Sequence, residues 1–166
     1  MKLAASALLA RVFVVALAAF VFALLVPQAG AAPSDPLVGM WKLNIAKSTF
    51  SPGSAPRSST VRYEAIAQGL RATNDIVDAQ GKPAQGVFTI IHDGQSHPVT
   101  GVPDYDSSAF KRIDANTVEY TRMKAGRVVQ TGARVLSPDG RTLTFTARGV
   151  NAQGQQINDT YVYDRQ

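Results

Sequence analysis

The chain has 166 residues, a formal net charge of +5 and no cysteine. The lack of cysteine excludes disulfides, thiolate zinc sites, thiol catalysis and the lipid-carrying cysteine of a lipoprotein. The basic residues are scattered along the chain and not grouped with aromatic residues on one face, so a nucleic-acid partner is not predicted.

The first 31 residues have the pattern of an export signal. Lys2 and Arg11 supply positive charge, residues 12–26 form an uninterrupted apolar run, and Ala29-Gly30-Ala31 provides the small residues that a signal peptidase recognises. The apolar run is shorter than the roughly 20 residues that span a membrane, although residues 3–10 could extend it into a permanent anchor. The sequence therefore predicts a signal-peptide helix over residues 1–31. The mature domain, residues 32–166, is expected to be a monomer, periplasmic or secreted, without a stable membrane anchor.

Ten short strands are predicted in the mature domain, because β-forming runs alternate with Gly-containing turn dipeptides. Their bounds are 38–44, 59–68, 70–78, 85–92, 95–100, 107–113, 118–124, 127–137, 141–150 and 155–164. Two segments break this rhythm, 45–58 and 101–106, of which the first has room for one helical turn near its start. The Asp93-Gly94 dipeptide predicts a hairpin turn between the fourth and fifth strands.

The predicted fold is all-β. Ten consecutive antiparallel strands must protect their edges, and a simple solution is a single up-and-down β-barrel or a flattened β-clam. A two-sheet sandwich is the alternative that the pattern leaves open.

Several sequence strings resemble a known group of proteins. Gly39-Met40-Trp41 near the start of the mature domain is similar to the Gly-x-Trp signature of lipocalins. The longer strings GMWKLNIAKSTFSPGSAPRS, HPVTGVPD, KRIDANTVEYT and SPDGRTLTFTARG resemble small exported bacterial lipocalin-like proteins, which have a calycin-type β-barrel and no assigned function. The chain departs from a true lipocalin in its ten strands and in having no predicted C-terminal helix. It also lacks the helix pair that covers the intracellular lipid-binding clam.

This resemblance implies a role for three residues at one end of the barrel. Trp41 is expected to fill that end, beside Gly39. Arg165, at the end of the last strand, is expected to stack on the indole ring and add about 0.5–2 kcal/mol of cation–π attraction. The expected role of all three is structural closure of the barrel.

No catalytic or metal-binding constellation is predicted. His92 and His97 are the only histidines, and Asp93 between them is interpreted as a turn former, which leaves two exposed hairpin histidines. No nucleophile motif is present, and the carboxylates mostly occupy turns. The sequence therefore predicts a protein that is not an enzyme and that needs no metal or cofactor.

Arginine and tyrosine residues on the later strands are the candidate ligand-binding residues, namely Arg122, Tyr120, Arg148 and Tyr161. If their faces point inward, the cluster could hold the carboxylate of an amphipathic ligand. If they point outward, the barrel is filled by its own side chains, which is the arrangement favoured for a small barrel. The predicted function is binding of a small apolar or amphipathic ligand. The alternative is a non-catalytic interaction or structural module of the cell envelope with a filled core.

Overall fold

A computed structural model describes residues 35–166, apart from residues 101, 103 and 152. The predicted signal-peptide helix and its cleavage site lie outside the described residues. Within the described part of the chain, no helix is both long enough and apolar enough to span a membrane.

Ten β-strands follow one another, with a single 3-10 turn at Ile45–Lys47 between the first two. They are β1 (Gly39–Leu43), β2 (Ser58–Ile66), β3 (Gly69–Val77), β4 (Pro83–Ile90), β5 (Asp93–Pro98), β6 (Ser107–Arg112), β7 (Thr117–Lys124), β8 (Arg127–Leu136), β9 (Thr142–Val150) and β10 (Gln156–Arg165). Each predicted strand is present with its ends shifted by two residues or fewer, and the predicted helical turn is the 3-10 turn.

The strands form one antiparallel up-and-down sheet in the order β4-β3-β2-β1-β10-β9-β8-β7-β6-β5. The all-β, up-and-down prediction is therefore confirmed. The first and last strands pair at the centre of the sheet, with Trp41 opposite Arg165. The two edge strands, β4 and β5, are consecutive in the chain but are not hydrogen-bonded neighbours in the sheet.

The hairpin predicted at Asp93-Gly94 is wrong, because β4 and β5 do not pair with each other. Asp93 and Gly94 are already part of β5, where the pairing with β6 shifts register between Asp93 and Ser96. The Asp93 carboxylate accepts the backbone N–H of Gln95 at 2.8 Å and faces the His97 ring at 2.9 Å. The dipeptide therefore forms a bulge-like irregularity within β5, and Gly94 has the positive φ that this irregularity requires.

The sheet is strongly curled. Arg134 of β8 lies over the ring of Tyr63 on β2, with 5.6 Å between the guanidinium carbon and the ring centroid. Three other strands separate β2 from β8 in the sheet order, so a flat sheet would hold these side chains far apart. The inner face thus encloses a core.

One end of this core is built around Trp41, which is completely buried. Its indole N–H donates to the Leu37 carbonyl at 2.8 Å, and the Arg165 guanidinium lies 4.2 Å from the ring centroid. Arg165 also donates to the carbonyls of Pro36 and Val38, at 2.6 and 2.8 Å. A Cβ at position 39 would lie 2.9 Å from Arg165 Nη1, so the lack of a side chain at Gly39 leaves room for the guanidinium.

Candidate ligand-binding site

A cavity of about 340 Å³ lies inside the curled sheet. At about 30 Å³ per molecule it has room for about eleven waters, which matches a small ligand. Its wall includes exposed residues of the edge strand β4, so the cavity reaches the surface there. Its lining includes aromatic, aliphatic and cationic side chains, among them Tyr63, Ile76, Tyr105, Arg122, Arg134, Leu143, Phe145, Tyr161 and Tyr163.

Arg122 of β7 projects into the cavity. Its guanidinium carbon lies 4.3 Å from the ring centroid of Tyr105 and 4.8 Å from that of Tyr120. Its Nη1 donates to Oε1 of the buried Gln130, which is directly opposite on β8. Its Nε is buried and has no hydrogen-bond partner among the described residues, so one donor of this cation is left without an acceptor.

Arg134 of β8 lines the same cavity and is 3% exposed. Its guanidinium carbon lies 4.9 Å from the ring centroid of Phe110 and 5.5 Å from that of Phe145. Its Nε and Nη1 have no hydrogen-bond partner within the described part of the chain. Aromatic faces therefore attract this buried cation, while two of its N–H groups lack an acceptor.

The rings that contact the two arginines belong to one aromatic cluster. Phe145 stacks on Tyr120 with 5.0 Å between centroids and 5° between planes, and it meets Tyr161 edge-on at 5.5 Å. The Tyr120 hydroxyl donates to the Thr146 carbonyl at 2.8 Å, passing over Gly132. A Cβ at position 132 would lie 2.6 Å from that hydroxyl, so the position of the Tyr120 ring depends on glycine there.

The hydroxyls of Tyr120, Tyr161 and Tyr163 are neutral at physiological pH. Burial raises the pKa of Tyr120 to about 12 and that of Tyr163 to about 12. Burial also raises the pKa of Tyr161, and the nearby Asp159 carboxylate adds to this effect. None of these groups is therefore an anion that would repel an acidic ligand.

Three of the four predicted ligand-binding residues come together here. Tyr120, Arg122 and Tyr161 are on the inner face and contact the same ring, Phe145. The outward orientation favoured from the sequence is therefore wrong for these residues. Arg122 of β7 and Phe145 of β9 are both on inward positions, with β8 between their two strands.

Arg148, the fourth predicted residue, is not part of this cluster. It is exposed on the outer face of β9, where Nε donates to Asn158 Oδ1 at 3.2 Å. The apolar residues Leu143, Phe145 and Ala147 occupy the inward positions of β9, so the alternation of the strand puts Arg148 on the opposite side.

Arg134 is the site residue that sequence reasoning missed. Its strand does carry a signal, because Leu136 is a strongly apolar inward position and Arg134 is two residues before it. Gly132 and Gln130 continue the same face. The alternation of β8 therefore predicts an inward arginine, although its charge favours the surface.

A separate polar cluster lies where β4, β6 and the segment before β1 meet. Arg112 Nη2 donates to both the Asp35 carboxylate and the Nδ1 atom of His92, the latter at 3.0 Å. Because arginine only donates, Nδ1 is the acceptor and the ring proton is on Nε2. Burial, with the charge of Arg112, lowers the pKa of His92. His92 is therefore a largely buried neutral ring, and the predicted exposed hairpin histidine is wrong.

The histidines do not form a metal site with their neighbours. Among residues 35–166, leaving out the undescribed positions, no group of three or more His, Asp and Glu side chains is arranged to hold a metal ion. His97 pairs with Asp93 on the surface of β5, whereas His92 lies in the short segment between β4 and β5.

Comparison with known proteins supports the fold. No protein-family model matches the sequence, and no curated protein matches it. Among solved structures, the chain is similar to As-p18, described as an extracellular fatty acid binding protein. The TM-score is 0.50 and the identity 13%, over 80% of this chain and 97% of that one.

The fold is that of a calycin-type β-barrel whose sheet is left open between the edge strands β4 and β5. A protein of unknown function from the DUF3598 family of Nostoc punctiforme gives a TM-score of 0.51 at 14% identity, over 79% of this chain but only 47% of that one. The zebrafish ileal bile acid-binding protein, solved with cholic acid, gives 0.44 at 8% identity, over 79% and 99% of the two chains. The two matches with TM-scores of 0.50 and 0.51 confirm, at the level of fold, the resemblance predicted from the sequence.

Proposed function

We propose that this protein is a non-catalytic carrier that binds a small amphipathic acid inside the sheet, with the carboxylate on Arg122. The observation that carries this proposal is that Arg122 lines a cavity of about 340 Å³ as a cation with a buried Nε that has no acceptor among the described residues. A carboxylate in the cavity would compensate this charge.

The other walls suit the apolar part of such a ligand. Phe145, Leu143 and Ile76 line the cavity with apolar surface, and the neutral Tyr161 hydroxyl adds no charge. Most small-molecule sites combine an apolar wall with a few placed polar groups in this way. The similar fold of an extracellular fatty acid binding protein agrees with a carrier role.

The alternative function, an interaction or structural module with a filled core, has less support. A filled core leaves no space of this size, and it gives no reason for cationic donors that lack acceptors inside the sheet.

We also propose that the carrier works outside the cytoplasm, because the first 31 residues have the composition of an export signal. The test is the N-terminal sequence of the protein recovered from its native cells, which should begin at Ala32. A chain that retains Met1 in the soluble cytoplasmic fraction would contradict export.

Isothermal titration with octanoate tests the binding proposal, because this acid matches the size of the cavity. Arg122→Met should weaken octanoate binding by about tenfold to hundredfold, since a hydrogen bond to a charged group contributes about 1.5–3 kcal/mol. Arg148→Met is the matched control, because it removes the same guanidinium from the outer face and should change affinity less than about twofold.

Two further outcomes would contradict the proposal. The first is that unmodified protein, freed of any co-purified ligand by denaturation and refolding, fails to bind octanoate. The second is that Arg122→Met and Arg148→Met have equal effects. Neutral 1-octanol serves as a second control, since it has the same chain without the carboxylate and should bind more weakly than octanoate.

A further inference from the structure

The Arg122 guanidinium is held by an amide from the neighbouring strand. Its Nη1 donates to Oε1 of Gln130, which is 7% exposed, and the Tyr120 hydroxyl lies 3.5 Å from the same oxygen. The rings of Tyr105 and Tyr120 contact the guanidinium as well. An amide oxygen accepts a hydrogen bond and has no net charge. Gln130 therefore fixes the position of this cation without neutralising it.

The backbone around Gln130 is irregular, and this irregularity sets where its side chain lies. The pairing of β7 with β8 shifts register directly after the Arg122–Gln130 pair. On the other side of β8, Gln130 pairs with Gly149 of β9, and a Cβ at position 149 would lie 2.7 Å from the Gln130 Cα. Bulges of this kind redirect side chains and are common next to functional sites. The register shift and the glycine thus bring Gln130 to Arg122.

The charge of the side chain at position 130 decides how much of the Arg122 charge remains for a ligand. A carboxylate there would form an ion pair with Arg122 inside the sheet, where opposite charges attract strongly. The carboxylate of a ligand would then compete with it for the guanidinium and would be repelled by it. Asp104 also lines the cavity, so a glutamate at position 130 would be an additional acid close to it.

We propose that Gln130 is the positioning residue that sets the preference of the cavity for an anionic over a neutral ligand. Its amide oxygen orients the Arg122 guanidinium and leaves the charge of that cation to the carboxylate of the ligand. The described lining of the cavity includes Arg122 and does not include Gln130, so Gln130 acts through the arginine. This inference rests on the proposed carrier function and adds the residue that determines its charge selectivity.

Gln130→Glu tests this role, because it changes the charge of the partner at nearly constant size. Octanoate and 1-octanol are titrated into the same protein, and the ratio of their dissociation constants is compared between variants. Gln130→Glu should reduce the advantage of octanoate by about tenfold to hundredfold, which is the factor that charged hydrogen bonds contribute. A general loosening of the fold weakens both ligands and leaves the ratio unchanged. If octanoate keeps its full advantage in Gln130→Glu, the proposal is overturned.

Two further variants separate charge from geometry. Gln130→Met removes the acceptor but adds no charge, so octanoate should bind more weakly than in the unmodified protein and still more tightly than 1-octanol. Complete loss of its advantage in Gln130→Met would show that the neutrality of Gln130 is not what matters. Gln153→Glu makes the same exchange in the exposed turn between β9 and β10 and should leave the ratio unchanged. Equal effects of Gln130→Glu and Gln153→Glu would also contradict the proposal.

Nuclear magnetic resonance of the arginine side chains tests the positioning role in the unmodified protein. Rotation about the Nε–Cζ bond of Arg122 should be slow and give separate Nη signals, because Gln130 holds Nη1. Arg148, which donates through Nε on the outer face, should give averaged Nη signals. Averaged signals for Arg122 would overturn the proposal. Separate signals in a protein that fails to bind octanoate would instead contradict the carrier function and leave the positioning by Gln130 intact.

Discussion

Replacement of Trp41 by alanine is the sharpest test of how the end of the barrel is built. The side chain is completely buried, its N–H donates to Leu37, and Arg165 stacks on its outer face. Removal of a buried Trp costs about 3–5 kcal/mol through lost burial and the cavity left behind. The loss of the cation–π contact adds about 0.5–2 kcal/mol. We therefore expect a loss of about 3.5–7 kcal/mol, close to the whole stability of a marginal domain.

Urea unfolding followed by circular dichroism measures this loss. With a denaturant slope of about 2 kcal/mol per molar, the midpoint should fall by about 2–3.5 M. Trp41→Phe keeps a ring but removes the N–H donor, so its unfolding midpoint should lie between those of the unmodified protein and of Trp41→Ala. Met40→Ala is the control, because this neighbour on the same strand is partly exposed and should change the midpoint little. A Trp41→Ala loss below about 2 kcal/mol would refute the closure role.

Three further substitutions test other contacts. Gly132→Ala should destabilise the fold by about 3 kcal/mol or more and weaken octanoate binding, because the new Cβ would lie 1.8 Å from the Thr146 carbonyl oxygen. A free energy of unfolding equal to that of the unmodified protein would contradict this expectation. The folded protein holds the pKa of His92 below its ordinary value of about 6.5, so the unfolded chain takes up a proton first as the pH falls and the free energy of unfolding decreases. His92→Gln should make this decrease smaller. An unchanged dependence of the free energy of unfolding on pH from 8 to 5 would contradict the assignment. Asp164→Asn should be less stable at pH 7, because hydrogen bonds from Asn44 and Lys47 lower the pKa of Asp164. The difference should close as the pH falls below about 3.9, and a constant difference would contradict the assignment.

The strands could be predicted from the sequence because their signals are local. Turn dipeptides such as Gln68-Gly69 and Ala125-Gly126 require positive φ, and glycine at 69 and 126 provides it. The alternation in residues 142–148 likewise determines which side of β9 is buried. Each of these patterns depends only on neighbours in the chain.

The position of the sheet edges could not be predicted in the same way. The sequence between β4 and β5 contains a turn dipeptide, which favours a hairpin, yet these strands do not pair. Whether a turn joins two paired strands depends on partners distant in sequence, here β3 and β6. The turn propensity of Asp93-Gly94 depends on these two residues and does not indicate which strands pair.

The candidate site was predicted in part for a related reason. Tyr120, Arg122 and Tyr161 were chosen by residue type and converge on one ring, whereas Arg148 was chosen by the same criterion and is on the outer face. A strand has only two faces, and the apolar residues of each strand decide which one is inside. Arg134 was missed because an arginine is expected at the surface, although the apolar Leu136 two residues away indicates that this face of β8 points inward.

The central pairing of the first and last strands has a consequence for how the chain reaches this fold. β10 is the strand that joins the ladder β1–β4 to the ladder β5–β9, since it pairs with both β1 and β9. The two ladders cannot be connected until residues 156–165 have been synthesised. Contacts between such distant segments form slowly. A growing chain therefore cannot complete this sheet until residues 156–165 have left the ribosome.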